Sequence, residues 1–228
     1  MNASALPSGT VLSSRYRMVV FDLDGTLANS LPVAETVLAQ ACRHYRLPVP
    51  DGPQREALRA MDTRSMLRAL GLRWWQVPGF IAHMRGLMAP LSGQVQLFEG
   101  IDGLLGRLQC SGIRLGLVTS NRADNVATIL GGARMDRFET LRCGVPLLGK
   151  RHVLARLAAR SGLPARSIVS VGDEQRDARA SQQAGLDFVG VGWGFSPPHV
   201  LAPYSRHPVL AAPGELYGLL FPECAGSE

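Results

Sequence analysis

Residues 17–26, with the sequence RMVVFDLDGT, decide the fold that we predict for the chain. Their first half is short, apolar and valine-rich, which is typical of a buried β-strand. The strand ends abruptly at Asp22, and Asp24, Gly25 and Thr26 follow in a polar loop. Carboxylates directly after a buried strand indicate a catalytic or binding site at the end of that strand. On these residues alone, an ordinary Asp-Gly turn remains the alternative.

The same pattern recurs twice along the chain. Residues 113–118 form an apolar run that ends in Thr119-Ser120-Asn121, and residues 167–171 form another that ends in Gly172-Asp173-Glu174. Alternating strands and helices predict an α/β fold, a Rossmann-like parallel sheet with helices on both faces and a ligand site at the carboxyl ends of its strands. The helical patterns of this part lie at residues 101–110, 122–130, 151–161 and 177–184.

Residues 31–96 interrupt this alternation with helical patterns that prolines punctuate. We therefore predict an inserted all-helical cap at 31–96 and an α/β core domain formed by residues 15–30 and 97–228. The polar stretch 1–14 is predicted to be a disordered N-terminus. Trp74 and Trp75, inside the insert, are expected to pack within the cap or between the cap and the core.

The composition narrows the classes of function. The formal net charge is +6, but the arginines are spread over apparent helices without a dense basic block, which argues against a nucleic-acid partner. No apolar run approaches the roughly 20 residues that a membrane-spanning helix needs. The four cysteines show no paired spacing, which predicts a reduced, cytoplasmic protein. The oligomeric state is left open.

The segment from Asp22 to Leu27, DLDGTL, resembles the first motif of the haloacid dehalogenase superfamily, and the other two strand ends match its further motifs in order. The chain is similar to the branch that contains phosphoglycolate phosphatase, in which a helical cap follows the first strand. This resemblance covers most of the chain. It implies a phosphatase that acts on a small phosphorylated metabolite, such as phosphoglycolate, with Mg²⁺ as cofactor.

The resemblance also implies roles for four aspartates. Asp22 would attack phosphorus to give an aspartyl-phosphate, and Asp24 would serve as general acid and base. Asp22, the backbone carbonyl of Asp24, and Asp173 would bind the Mg²⁺. Asp177 would orient a metal-bound water or Lys150 from outside the metal's own ligands. The carboxylate at Asp24 disfavours dehalogenation.

Polar and basic residues complete the implied site. Thr119, Ser120 and Asn121 would bind phosphoryl oxygens, although capping of the following helix is an alternative role for them. Lys150 would neutralise the nucleophile and the transferring phosphoryl group. It is the single lysine of a chain that otherwise uses arginine, and Arg151 follows it where many relatives have proline.

Arg64 in the insert would bind a second anionic group of the substrate, with a helix cap around Thr63 as the alternative interpretation. The absence of lysine from residues 31–96 argues against relatives that use Schiff-base chemistry. Two other functions remain open: a phosphate-sugar mutase with the same motifs, and a non-catalytic binding or scaffold protein with the same fold.

Overall fold

The central strand of the main sheet is β1, which carries the run that precedes Asp22. The structure, a computed structural model, describes residues 14–146 and 149–222. In this part the sheet has five strands in the order β5-β4-β1-β6-β7, and all neighbours are parallel. The strands are β1 (Met18–Phe21), β2 (Ala28–Asn29), β3 (Gln96–Leu97), β4 (Arg114–Val118), β5 (Thr140–Arg142), β6 (Ile168–Gly172) and β7 (Asp187–Gly190).

Helices cover both faces of the sheet. Alternate residues of β1 point to opposite sides, so each face presents apolar side chains that helices can bury. Val19 and Phe21 belong to one apolar cluster, and Met18 and Val20 belong to another. The helices are α1 (Leu31–His44), α2 (Gly52–Arg59), α3 (Thr63–Ala69), α4 (Val77–Met88), α5 (Ile101–Cys110), α6 (Ala123–Leu130), α7 (Gly132–Met135), α8 (Lys150–Ser161), α9 (Gln175–Gln183), α10 (Pro198–Leu201) and α11 (Pro213–Leu220). Helices α5, α6 and α11 pack in the first cluster, and α8 and α9 pack in the second. The predicted fold class is confirmed.

Helices α1 to α4 form a helical segment, residues 31–88, with apolar contacts of its own. Leu58, Leu67 and Phe80 are buried in this cluster. The chain leaves and re-enters the sheet through β2 and β3, which pair antiparallel with Ala28 opposite Leu97. The division of the chain into core and cap domains stays a prediction.

The structure contains strands β2, β3 and β5, which the sequence-based expectations did not include, and it contradicts the expectation for the tryptophans. Strand β5 was missed, because three residues without an apolar run give no strand signal of their own. The expectation for the tryptophans was wrong: Trp74 is 82% exposed and Trp75 is 56% exposed, and the two rings contact each other edge to face.

The predicted disordered N-terminus lies outside the described residues, apart from Ser14. Residues 147–148 and 223–228 are also outside them. Within the described part of the chain, no helix is long and apolar enough to cross a membrane.

Candidate active site

Three buried carboxylates meet at the carboxyl ends of the two central strands. Asp22 follows β1, Asp173 follows β6, and Asp177 lies in the first turn of α9. These residues are 3%, 0% and 0% exposed, and each offers a carboxylate oxygen within 4.8 Å of the others. Because β1 and β6 are adjacent and parallel, residues far apart in sequence reach one point.

Lys150, the first residue of α8, holds two of these carboxylates. Its Nζ atom lies 3.0 Å from Oδ1 of Asp22 and 2.7 Å from Oδ1 of Asp177. Burial opposes the charge on Lys150, but the carboxylates of Asp177 and Asp22 outweigh that effect and raise its pKa. The ammonium therefore stays protonated beside Asp22.

Asp173 is fixed by two hydrogen bonds. The Thr26 hydroxyl donates to Oδ1 over 2.8 Å, and the Phe195 amide donates to Oδ2 over 2.8 Å. The Trp193 indole donates to the carbonyl of Thr26 over 3.0 Å, so the loop after β7 and the loop after β1 support each other. Sequence reasoning missed this loop, since its contact with Asp173 is made by the backbone.

Asp24 contacts the end of β4 through Asn121. The Asn121 amide donates to Oδ2 of Asp24 over 3.1 Å, and its carbonyl oxygen accepts a hydrogen bond from Asn125 over 2.8 Å. Thr119 is 1% exposed, and its hydroxyl accepts a hydrogen bond from the backbone amide of Asn121. Thr119 thus shapes the turn that places Asn121 against Asp24.

Burial of the carboxylates has the largest effect on the electrostatics of this site. Burial raises the pKa of Asp22 to about 7, with Lys150 lowering it and Asp177 raising it further. Burial and neighbouring acids raise the pKa of Asp173 well above its ordinary value. Three carboxylate side chains lie together here, and the Lys150 ammonium contacts only two of them. Clustered, buried carboxylate oxygens of this kind fit a divalent cation such as Mg²⁺.

A cleft of about 350 Å³ opens above Asp24, between the sheet edge and the helical segment. Ser120 and Asn121 line it on the sheet side together with Arg176. Arg176 lowers the pKa of both Asp22 and Asp24 by its charge, so it faces the acidic cluster. Arg176 was missed by sequence reasoning, because an arginine in an arginine-rich chain is no signal by itself.

Arg59 of α2 joins the helical segment to the loop after β7. Its guanidinium donates to the carbonyls of Phe195 over 2.7 Å and of Gly194 over 2.9 Å. Arg64, by contrast, is exposed in the first turn of α3 and is not among the residues that line the cleft. Asp62 caps that helix by accepting from the amides of Arg64 and Ser65. Substrate binding by Arg64 stays a prediction.

Gly25→Ala is expected to destabilise the protein and distort the site. Gly25 has φ +76°, and a Cβ atom there would overlap the carboxylate of Asp173. The left-handed backbone alone costs about 1–3 kcal/mol for a residue with a side chain. Urea unfolding should therefore show a clearly lower free energy of unfolding for the variant than for the parent.

Gly103→Ala is the matched control for that substitution. Gly103 lies inside α5, and a Cβ atom there meets nothing within 4 Å. Alanine should stabilise the helix by about 0.5–1 kcal/mol. Equal stability changes in the two variants would contradict the role assigned to Gly25.

Comparison with known proteins places this geometry in a family. The model of the family described as "Haloacid dehalogenase-like hydrolase" matches residues 19–191. Phosphoglycolate phosphatase of Synechococcus elongatus is 32% identical over 200 residues, which cover 87% of this chain and 94% of that protein. Tyrosine-protein kinase PtkA of Mycobacterium tuberculosis is 31% identical over 187 residues, which cover 78% of this chain and 63% of that protein.

A solved structure supports the fold. A haloacid dehalogenase-like family protein of Streptococcus pneumoniae superposes with a TM-score of 0.77 at 21% identity, over 90% of this chain and 98% of that one. The family match runs from β1 to the residue after β7, and it includes each strand end at which the carboxylates, Thr119 and Asn121 lie. This chain therefore belongs to the haloacid dehalogenase-like hydrolase family.

Proposed function

We propose that this protein is a magnesium-dependent phosphatase that hydrolyses a small phosphate monoester through an aspartyl-phosphate. The observation that carries the proposal is the buried contact of Lys150 with Asp22, beside Asp173. An ammonium at this place would offset charge on the nucleophile and on the phosphoryl group. The similarity to phosphoglycolate phosphatase over most of the chain supports the same activity.

In the first half of the reaction, a carboxylate oxygen of Asp22 attacks phosphorus, and the bond from phosphorus to the ester oxygen breaks. The proton for the departing oxygen comes from Asp24. Burial raises the pKa of Asp24, and the neighbouring Ser30 and Asn121 side chains offset part of that effect. A raised pKa keeps a proton on this carboxyl closer to neutral pH, as a general acid requires.

In the second half, water attacks the phosphorus of the aspartyl-phosphate. Asp24, now a carboxylate, takes the proton of that water, and the bond from phosphorus to the Asp22 oxygen breaks to restore the carboxylate. Ser120 and the Thr119 turn would hold phosphoryl oxygens during both steps. We assign the helical segment the role of a lid that shields the site from bulk water.

The divalent ion fits the residues of the site. Asp22, Asp173 and the backbone carbonyl of Asp24 would hold Mg²⁺, which supplies charge neutralisation of the phosphoryl group. Asp177 would act indirectly, because its Oδ1 atom contacts Lys150 and its Oδ2 atom accepts from the Glu174 amide over 3.2 Å. Asp177 thereby positions the ammonium against Asp22.

Removal of Mg²⁺ tests the cofactor. Hydrolysis of p-nitrophenyl phosphate should fall at least about 100-fold in the presence of a chelator, since the ion contributes several kcal/mol of charge stabilisation. Added Mg²⁺ should restore the rate. An unchanged rate after exhaustive chelation would overturn the assignment of the metal.

Phosphoryl transfer to another hydroxyl is the second candidate, and the similarity to a protein named as a kinase favours it. A phosphate-sugar mutase would be one form of such an enzyme. Time-resolved release of inorganic phosphate, with and without added sugar phosphates, separates the two. Release that is unaffected by sugar supports hydrolysis. A scaffold protein would release no phosphate from any monoester in a broad panel.

A further inference from the structure

The cleft above Asp24 has walls of a different chemistry from its floor. Asp24, Ser120 and Asn121 make the floor polar, whereas the helical segment contributes mostly apolar side chains. Phe80, Leu58 and Leu67 are at most 8% exposed, so they are fixed parts of the wall. The apolar residues that face the cleft include Leu38, Leu58, Met66, Leu67, Phe80 and Met84.

Several charged side chains that line the cleft are engaged within the protein. Arg59 binds two backbone carbonyls of the loop after β7, and Arg55 lies 3.8 Å from Glu35. Arg176 pairs with Glu174 over 2.5 Å through Nη2, whereas its buried Nε atom has no hydrogen-bond partner within the described residues. The two remaining arginines of the lining, Arg85 and Arg122, are exposed. The unpartnered Arg176 donor lies beside the acidic cluster, where the phosphate would bind. A substrate carboxylate farther along the cleft would have to break one of the internal contacts of Arg55 or Arg59, or stay at an exposed position.

The size of the cleft also argues against a small, charged leaving group. At about 30 Å³ per water molecule in the liquid, a cleft of about 350 Å³ holds roughly a dozen waters. A two-carbon leaving group such as glycolate would displace few of them and leave water against phenylalanine, leucine and methionine. A larger apolar group would release that water and gain the hydrophobic contribution.

We infer that the substrate is a phosphate monoester whose alcohol carries an apolar body, of about six carbon atoms or more on the volume of the cleft. The phosphate would lie at Asp22 and Asp24, and the apolar body would lie against Phe80, Met66 and Met84. Methionine side chains adapt to irregular shapes, which suits a wall of this kind. This inference rests on the proposed phosphatase function and specifies its substrate class.

A series of ethyl, butyl and hexyl phosphate tests the inference in the unmodified protein. Their alcohols have nearly equal acidity, so differences in kcat/KM report the binding of the chain rather than leaving-group chemistry. Each buried methylene contributes up to about four-fold. The value of kcat/KM should rise at least about ten-fold from ethyl to hexyl phosphate. Phosphoglycolate, measured beside them, should be a poorer substrate than hexyl phosphate.

Ala34→Phe probes the cleft directly. Ala34 lies on α1 and lines the cleft, so a phenyl ring there would occupy the space assigned to the apolar body. The ratio of hexyl to ethyl kcat/KM should fall to about one in this variant. Ala57→Phe is the matched control, because Ala57 is exposed on α2 and is not among the lining residues. The control should keep the ratio of the parent.

If Ala34→Phe does not fold, inhibition of the parent by ethyl- and hexylphosphonate replaces it, and hexylphosphonate should bind at least about ten-fold more tightly. A flat or falling series, with phosphoglycolate hydrolysed best, would overturn the inference and leave the phosphatase function standing. Absence of Asp22-dependent hydrolysis for every ester would instead overturn the proposed function, and the inference with it.

Discussion

Asp22→Asn is expected to abolish hydrolysis of phosphate monoesters without loss of the folded state. The amide of asparagine has the shape of the carboxylate but cannot attack phosphorus, so the rate should fall by about 10⁴-fold or more. The variant also removes one of three crowded carboxylates. Phosphate release at saturating Mg²⁺ measures the fall in the rate of hydrolysis.

Stability of the same variant should be equal to that of the parent or higher, when both are measured in a chelator. Burial raises the pKa of Asp22 to about 7, so ionisation of this group favours the unfolded chain. The folded pKa is above the unfolded value, and the protein therefore loses stability as pH rises from about 4 to about 7. Asparagine does not titrate, so this part of the pH dependence should disappear.

Asp136→Asn is the control for both measurements. Asp136 is exposed beyond the end of α7 and makes no ion pair within the described residues. This substitution should leave the rate and the pH profile of unfolding unchanged. Residual Mg²⁺-dependent activity in Asp22→Asn close to that of the parent would refute covalent catalysis by Asp22.

Lys150→Met is expected to lower both activity and stability. The Lys150 side chain is 11% exposed and holds Asp22 and Asp177, so its removal leaves buried carboxylates without their ammonium. Loss of one partner of a buried ion pair typically costs about 3–5 kcal/mol. The rate should fall by about 10²–10³-fold, as when a group that stabilises transition-state charge is removed.

Lys150→Arg separates charge from shape. A planar guanidinium keeps the charge but is wider than an ammonium, so it should recover part of the stability and little of the rate. Arg151→Met is the control, because Arg151 is the exposed neighbour on α8 and, among residues 14–146 and 149–222, its side chain forms a hydrogen bond only with His152. If Lys150→Met unfolds at the urea concentration of this control, the structural role of Lys150 is wrong.

The alternation of strands and helices was sufficient to predict the parallel sheet and the strand ends that carry Asp22, Thr119 and Asp173. Each of these strands is predicted by an apolar run within its own residues, so the signal is local. The edge strand β5 has no such run, and its pairing with β4 depends on contacts distant in sequence. The contact between Lys150 and Asp22 joins residues far apart in sequence, so no local pattern predicts it, although the single lysine indicated the residue.

Backbone contacts account for what the sequence could not reveal at the site. The Phe195 amide binds Asp173, and the carbonyls of Gly194 and Phe195 bind Arg59. These contacts are made by backbone atoms of the loop, so they leave no signature of residue types in the sequence. The apolar walls of the cleft were equally hidden, since Phe80, Met66 and Met84 lie on different helices and resemble ordinary core residues.

The pairing of β2 with β3 has a consequence for how this protein can be re-engineered. Ala28 and Leu97 are neighbours in a two-stranded ribbon, so the 68 intervening positions begin and end about 5 Å apart. A transplanted segment of another length could be joined at the same two residues, and the strands that carry Asp22 and Asp173 would keep their register. Replacement of this segment could thus change the substrate selectivity that we propose for its apolar wall, while Asp22 and Asp173 keep their positions.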